Sequence, residues 1–191
     1  MSEPTPAHPP RHNAWTAHPW PRGWPDGAWV PLVAAFLTLL VGGLGLLAGN
    51  LPWLFPSLGP TIYMQTETPE DLSAQIKNVL GGHAIGIVAG YLAVFALGIA
   101  QEPSVFSLGV LTPQRVWAAV VAMLLTEGGV LLADVAHPPA AATTLLIALG
   151  ALRPTLASAA SLVAGVAIIA VVGEFFRHLR LGHVARYGRP R

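Results

Sequence analysis

Four long apolar segments follow one another along the chain, each with few charged residues. They extend over residues 30–48, 68–99, 113–134 and 155–175. At 1.5 Å per residue, each is long enough to cross about 30 Å of hydrocarbon as a helix. The pattern therefore predicts four transmembrane helices.

Two shorter apolar segments, residues 51–64 and 138–150, are interrupted or preceded by prolines. A proline suits the first turn of a helix, and the residue before it prefers extended backbone. We therefore expect one helix to end near Asp134 and a new one to begin at Pro138. That helix is about 13 residues, or roughly 20 Å, and is too short to span the bilayer, so we interpret it as a half-helix. A helix-to-helix corner at the membrane surface is the alternative.

The two short segments occur in the same order relative to the long ones. Each follows a long apolar segment, opens with small and hydroxyl residues after proline, and precedes another long segment. Interrupted helices at corresponding positions are typical of transporter repeats, where they mark the binding site. The chain is thus predicted to contain two similar halves, each built as span, half-helix and span.

The composition agrees with an all-α polytopic membrane bundle of four spans and two half-helices. Hydrophobic residues make up 53% of the 191 residues and charged residues only 10%, against about 25% in soluble domains. A net charge of +1 offers no basic field for nucleic acid, and zero cysteine excludes thiolate metal sites. We expect a lipid bilayer as the surroundings and no cofactor.

Arginine and lysine predict the orientation of the bundle. We divide the chain into a disordered tail (1–28), a transmembrane domain (29–177) and a basic tail (178–191). Counting four spans places both tails and the linker of residues 100–115 on one side, with eight of the ten positive residues. The positive-inside rule makes that side cytoplasmic. Arginine far exceeds lysine and alanine is abundant, which indicates a bacterial plasma membrane.

Polar residues inside apolar segments are the candidate site. The N–H groups at the start of a helix and its dipole bind anions, so each half-helix start is a candidate anion site. We expect His83 and His137 to handle protons with Glu127 and Asp134. Snorkelling to the interface is the alternative for Lys77 and Asp134, and a structural hydrogen bond for His83 and Glu127. The predicted binding residues are His137, Pro138, Pro139, Ala140, Thr143, Ser57, Gly59, Thr61, Lys77, Asn78, Gly82 and His83.

Two separated motifs carry a family resemblance. The chain has Asn78 followed by Gly81-Gly82-His83, and about 55 residues later His137-Pro138-Pro139. In this it resembles the HPP family of integral membrane proteins over residues 29–177. The resemblance implies a permease for a small inorganic anion, nitrite in studied members. The histidines and carboxylates beside the helix N-termini suit a transporter or channel that moves a small monovalent anion together with a proton.

Two other functions stay open at this point. A non-transporting membrane scaffold would use the same glycines and polar pairs for packing. A membrane-embedded metal enzyme would use the histidines and carboxylates as ligands, but the chain has no His-x-x-x-His or His-Glu-x-x-His spacing, so we expect no enzyme. We also expect a homo-oligomer, because a pathway between two half-helices is easier to seal in an assembly.

Overall fold

The computed structural model describes the backbone of residues 26–187 and the side chains of residues 27–181. Most of the predicted N-terminal tail and the end of the basic tail lie outside these residues. All regular secondary structure in the described part is helical, with no strand. Its helices are α1 (Asp26–Leu47), α2 (Leu58–Glu67), α3 (Ile76–Ala96), α4 (Val105–Leu108), α5 (Pro113–Leu132), α6 (Pro139–Ala148) and α7 (Leu156–Tyr187), with a 3-10 turn at Leu72–Ala74.

Four of the described helices are long and apolar enough to cross a membrane: α1, α3, α5 and α7. The predicted all-α bundle with four spanning helices is therefore confirmed. The two short apolar segments form α2 and α6, of ten residues each. Helix α5 begins at the predicted Pro113, where the Thr112 hydroxyl accepts a hydrogen bond from the backbone N–H of Arg115. Helix α6 begins one residue after Pro138, which is its N-cap.

Two predicted boundaries are wrong. The second long helix does not begin at Thr68 but at Ile76, after the 3-10 turn. The carbonyl of Pro69 instead accepts a hydrogen bond of 2.9 Å from the buried guanidinium of Arg177, which holds this segment in an irregular conformation. The last helix does not end near Phe175 but continues to Tyr187, because Arg177 and Arg180 are buried against the bundle.

The two halves of the chain run in opposite directions. Helix α6 packs parallel to α3: Gly82 lies against His137, and Gly90 against Ile147. Helix α2 packs in the same way, parallel to α7, since Gly165 lies against Phe55 and Gly173 against Gln65. The first short segment thus packs on the last long helix of the second half, and the second short segment packs on the last long helix of the first half. This reciprocal packing is the pattern of an inverted repeat.

The ends of the bundle differ from the sequence-based topology. At the terminal end, α1 begins and α7 approaches its C-terminus, since the rings of Trp29 and Phe176 are 6.0 Å apart. Helix α3 also begins there, because the backbone N–H of Ile76 donates to the Glu174 carboxylate at 3.2 Å. At the linker end, Arg115 of α5 donates to the carbonyl of Ala148, the last residue of α6, at 3.0 Å.

The prediction that the linker shares a side with the tails is therefore wrong. Helix α1 leaves the terminal end and α3 starts again from it, so residues 48–75 must return from the linker end. Residues 133–155 make the opposite passage between α5 and α7. The sequence count included only the four long helices and missed these two passages, which place the linker at the end opposite to the start of α1 and the end of α7.

Candidate functional site

Five buried polar side chains form one hydrogen-bonded group where α2, α3 and α6 meet. They share near-complete burial, with at most 4% of each residue exposed. We call this group the histidine cluster; its members are Ser57, Thr61, His83, His137 and Thr143. All five are residues that the sequence analysis named, and the structure brings them together from three separate segments.

Both ring nitrogens of His83 have hydroxyl partners. Its Nε2 lies 2.9 Å from Thr61 Oγ1 of α2, and its Nδ1 lies 2.7 Å from Thr143 Oγ1 of α6. Thr143 Oγ1 is also 2.6 Å from Ser57 Oγ, which closes the group between the two short helices. Matching the proline-bounded segments places Thr61 and Thr143 at equivalent positions, so one imidazole of α3 joins equivalent residues of both halves.

The second imidazole fixes the direction of the hydrogen bonds. His137 Nδ1 is 2.8 Å from the carbonyl oxygen of Ser73, and a carbonyl only accepts, so His137 donates there. In a neutral ring its Nε2 must then accept. That atom is 3.2 Å from His83 Nε2, and the ring centroids are 4.8 Å apart at 62°. Thr61 Oγ1 lies 3.2 Å from the same atom, so His137 Nε2 can accept from the Thr61 hydroxyl or from His83 Nε2.

The turn before α6 is held by an amide on α3. Asn78 Oδ1 accepts from the backbone N–H of Ala136 at 3.2 Å, and Asn78 Nδ2 donates to the carbonyl of Leu72 at 2.6 Å. Non-helical backbone away from water needs such partners, and Pro138 and Pro139 contribute no N–H that would need one. The Asn78 side chain thus links the two irregular segments of the bundle.

Glycines of α3 let α6 come close enough to build the cluster. A Cβ at Gly82 would lie 2.6 Å from His137 Cβ, and one at Gly86 would lie 2.7 Å from the carbonyl oxygen of Ala140. Real Cβ atoms do not approach so closely. His83 and the neighbouring glycines of α3 therefore face a closely packed helix.

Both short helices begin at the cluster, but their first N–H groups already have partners. The N–H groups of Ala140 and Ala141 donate to the carbonyls of His137 and Pro138 at 2.9 and 3.1 Å. The first turn tightens into i to i−3 hydrogen bonds, so these two N–H groups donate to the residues just before the helix. The polar groups directed at the site are the hydroxyls and imidazoles, together with the positive ends of two helix dipoles.

Several predicted residues lie outside the cluster. Lys77 is exposed, one residue from the buried Asn78, and Gly59 is exposed on α2. Asp134 is exposed in the turn after α5, with φ of +51°. Lys77 and Gly59 miss the cluster because a helix turns about 100° per residue, so neighbours in sequence face different directions. Asp134 misses it because it lies beyond the end of α5.

Glu127 has an intermediate position. Its side chain is exposed on α5 and forms part of the wall of a cavity of about 300 Å³ that also reaches His137. The cavity lies between α5 and the turn before α6, and Pro138 and Ala140 complete the wall near the imidazole. The carboxylate and the imidazole therefore share a space without belonging to one hydrogen-bonded group.

Sequence reasoning did not single out three buried polar groups. Thr126 and Thr144 join α5 to α6 through a hydroxyl contact of 2.8 Å. Arg115 is 3% exposed, and its guanidinium donates to the carbonyls of Ala148, Glu102 and Pro103. Gln65 is 1% exposed. The four-residue spacing of Ser57, Thr61 and Gln65 on one helix was the available signal for the last of these.

The described residues contain no group of three or more histidine, cysteine or acidic side chains that could hold a metal ion. The two imidazoles are thus the nitrogen ligands that the cluster offers. What the fold and the cluster define is a polytopic helical membrane protein with an inverted repeat and a buried histidine pair between two short helices.

The comparison with known proteins identifies the family. The family model described as HPP, transmembrane region, matches residues 21–186. The chain therefore belongs to the HPP family of transmembrane proteins, as the two sequence motifs indicated. No curated protein and no solved structure matches the chain.

Proposed function

We propose that this protein is a transporter or channel for a small monovalent anion, with the histidine cluster as the binding site. The observation that supports this most directly is the meeting of two short-helix N-termini at His83 and His137. The family resemblance favours nitrite as the anion.

The electrostatics of the cluster favour negative charge. Each helix N-terminus is equivalent to about half a positive charge, and two of them converge here from opposite ends of the bundle. The hydroxyls of Ser57, Thr61 and Thr143 can rotate to donate, and a protonated imidazole adds both charge and a donor. A carboxylate in the cluster would repel an anion, but none takes part in the described hydrogen bonds of the cluster.

The histidine pair also provides a place for one proton. The Nε2 atoms of His83 and His137 are 3.2 Å apart, so a further proton on either ring makes an imidazolium beside the helix termini. An anion beside the cluster favours that charged form. The cavity between Glu127 and His137 offers a route by which the proton arrives, and Asp134, exposed on the turn, is not needed for it.

We interpret α2 and α6 as half-helices of two broken spans. Together with residues 48–57 and 133–138, each completes one passage between the ends of the bundle. Such backbone is tolerated at membrane depth where protein or a water-filled cavity receives it, and transporters with inverted repeats move one repeat against the other around the site. Alternating access around the histidine pair follows from that architecture.

The arginine count still supports cytoplasmic termini in a bacterial plasma membrane. With the linker on the opposite side of the membrane, the terminal side loses Arg115 and gains Lys77. The terminal side therefore keeps eight of the ten positive residues, and the linker side holds Arg115 and Arg153.

A second copy of the chain would cover the outer face of α5. Glu127 is exposed there, although α5 is a candidate span, and a charged side chain facing lipid is costly. We therefore propose a homo-oligomer in which a neighbour closes the cavity beside Glu127.

Anion uptake by purified protein in liposomes tests the function. Nitrite, nitrate, formate and chloride would be compared with and without a pH gradient, after subtraction of the rate in protein-free liposomes. We expect wild-type uptake to follow the gradient and to disappear in His83→Ala and His137→Ala. His178→Ala is the matched control, since that side chain is 68% exposed on α7. Absence of uptake of every anion by folded wild-type protein would exclude the proposal.

A scaffold without transport is the competing function. It is favoured by the complete hydrogen bonding of His83, whose two ring nitrogens both have partners. In that case the histidine variants lower the unfolding temperature, and nitrite has no effect on the unfolding temperature of the wild type.

A further inference from the structure

One buried amide near the histidine cluster has unmet hydrogen-bonding capacity. Gln65 is 1% exposed, and neither its Oε1 nor its Nε2 has a hydrogen-bond partner among the residues that the structure describes. Leaving a buried donor or acceptor unpaired costs about 1–3 kcal/mol, and this side chain leaves one of each unpaired. Such a group in a native protein calls for an explanation.

The amide lies on the same helical face as the cluster. Ser57, Thr61 and Gln65 follow one another at four-residue spacing on α2, which places them on one stripe. The stripe starts at the histidine pair, and because α2 runs toward the terminal end, Gln65 lies about one turn beyond Thr61 in that direction. A polar path of three side chains therefore leads away from the site.

Helix α7 leaves room for this amide. A Cβ at Gly173 would overlap the Oε1 of Gln65, so only a glycine there allows the side chain to take its position. Buried volume of this kind is normally filled by an apolar side chain, which would need no partner. The amide is thus accommodated by the packing but not satisfied by it.

We infer that the Gln65 amide is a second binding station on the transport path, and that its occupant is the neutral protonated form of the anion bound at the histidine cluster. This inference rests on the proposed function. A carboxamide offers one donor group and one acceptor, so its best occupant also has both. A bare anion has acceptors only, whereas a protonated weak acid has an O–H donor and an oxygen acceptor.

The proton comes from the histidine pair. The imidazolium N–H bond breaks, an O–H bond forms on the anion, and the electron pair stays on the ring nitrogen. Anion and imidazolium thereby become neutral acid and neutral imidazole, with no other reactant. Anions of strong acids, such as chloride and nitrate, are not protonated in this way and do not pass the second station.

The test uses liposomes with wild-type protein, Gln65→Leu and the control Thr66→Val. Thr66 is also buried on α2, but its hydroxyl is satisfied by the carbonyl of Ile62 at 2.9 Å. We expect nitrite and formate to move faster than chloride and nitrate. Gln65→Leu should lower the nitrite and formate rates at least about tenfold, the effect of losing about one hydrogen bond. It should also raise the unfolding temperature, because leucine needs no partner. Thr66→Val should keep the wild-type rates.

The outcomes separate this inference from the proposed function. If wild-type protein moves anions and Gln65→Leu stays within about twofold of it, the inference is wrong and the proposed function stands. If chloride moves as fast as formate, the inference that the occupant is a neutral protonated acid is also wrong.

A second measurement decides the case in which wild-type protein moves no anion and the proposed function fails. Gln65 is one of four glutamines, so its ¹⁵N side-chain amide signals can be assigned by their loss in Gln65→Leu. A shift of these signals on adding formate in acidic buffer supports the station. No shift, or a response to solvent alone, overturns it.

Discussion

The Nε2 atoms of His83 and His137 lie 3.2 Å apart in the interior of the bundle, although the residues are 54 positions apart in the chain. His83 comes from a spanning helix and His137 from the turn before a short helix. The contact exists only if α6 lies parallel to α3 and begins at the level of its second turn. The distance between the two imidazoles therefore depends on how the two halves of the chain pack against each other.

The hydroxyl of Thr143 should stabilise the pair measurably. It is the partner of His83 Nδ1 and of Ser57 Oγ, so Thr143→Val leaves a buried ring nitrogen without a partner. We expect a loss of about 1–3 kcal/mol in unfolding free energy and loss of transport, with both largely restored in Thr143→Ser. Denaturant unfolding in detergent and liposome uptake measure the two effects.

Thr38→Val is the control for that prediction. Its hydroxyl donates to the carbonyl of Ala34 in its own helix, at 2.8 Å, on an exposed face of α1. We expect a change below about 0.5 kcal/mol, as for surface substitutions generally. A Thr143→Val protein as stable as this control would show that the described contacts contribute little.

Glycine substitutions should separate packing from helix propensity. A Cβ at Gly86 would meet the carbonyl oxygen of Ala140 at 2.7 Å and Thr144 Oγ1 at 2.9 Å, so Gly86→Ala must displace α6. We expect it to cost about 1–3 kcal/mol, as overpacking does. Gly128→Ala on α5 meets nothing within 4 Å and should stabilise by up to about 1 kcal/mol, because alanine is the better helix former. Equal effects in the two unfolding curves would contradict the packing of α6 on α3.

Much of this site could be predicted from the sequence because its members obey local rules. Two prolines after a histidine end one helix and start another, and glycines four apart with His83 beside them predict a packed face. The direction of each short segment could not be predicted, because it depends on which distant helix receives it. The first short segment packs against Gly165 and Gly173 of α7, and the sequence around α2 contains no signal for that contact.

Two of the residues that sequence reasoning misplaced share one cause. Lys77 and Glu127 each adjoin a buried polar residue, Asn78 and Thr126, and a difference of one position turns a side chain about 100° away. Arg115 shows the opposite error, because the sequence analysis counted it with the linker whereas its side chain is buried. It is buried because three carbonyls at the linker end need donors.

Asp134 should be dispensable for transport. Its side chain is exposed and its backbone has φ of +51°, a conformation that costs a non-glycine residue about 1–2 kcal/mol. Asp134→Gly should therefore raise the unfolding free energy by about 1 kcal/mol and leave nitrite uptake unchanged. Asp134→Ala removes the same carboxylate but keeps the strain, so it should match wild-type uptake without the gain in stability. Loss of uptake in both variants would show that the Asp134 carboxylate takes part in proton transfer, as the sequence analysis expected.

The two ends of the bundle should lie on opposite sides of the membrane. The chain has no cysteine, so single cysteines report accessibility without background. Ser107 is exposed in the linker, and Asp71 is exposed beside the start of α3. Because the terminal side has most of the arginines, we expect Ser107→Cys to react with an impermeant maleimide in intact cells. Asp71→Cys should react only after permeabilisation. The opposite result would reverse the orientation, and labelling of both from one side would contradict the passage of α3 across the membrane.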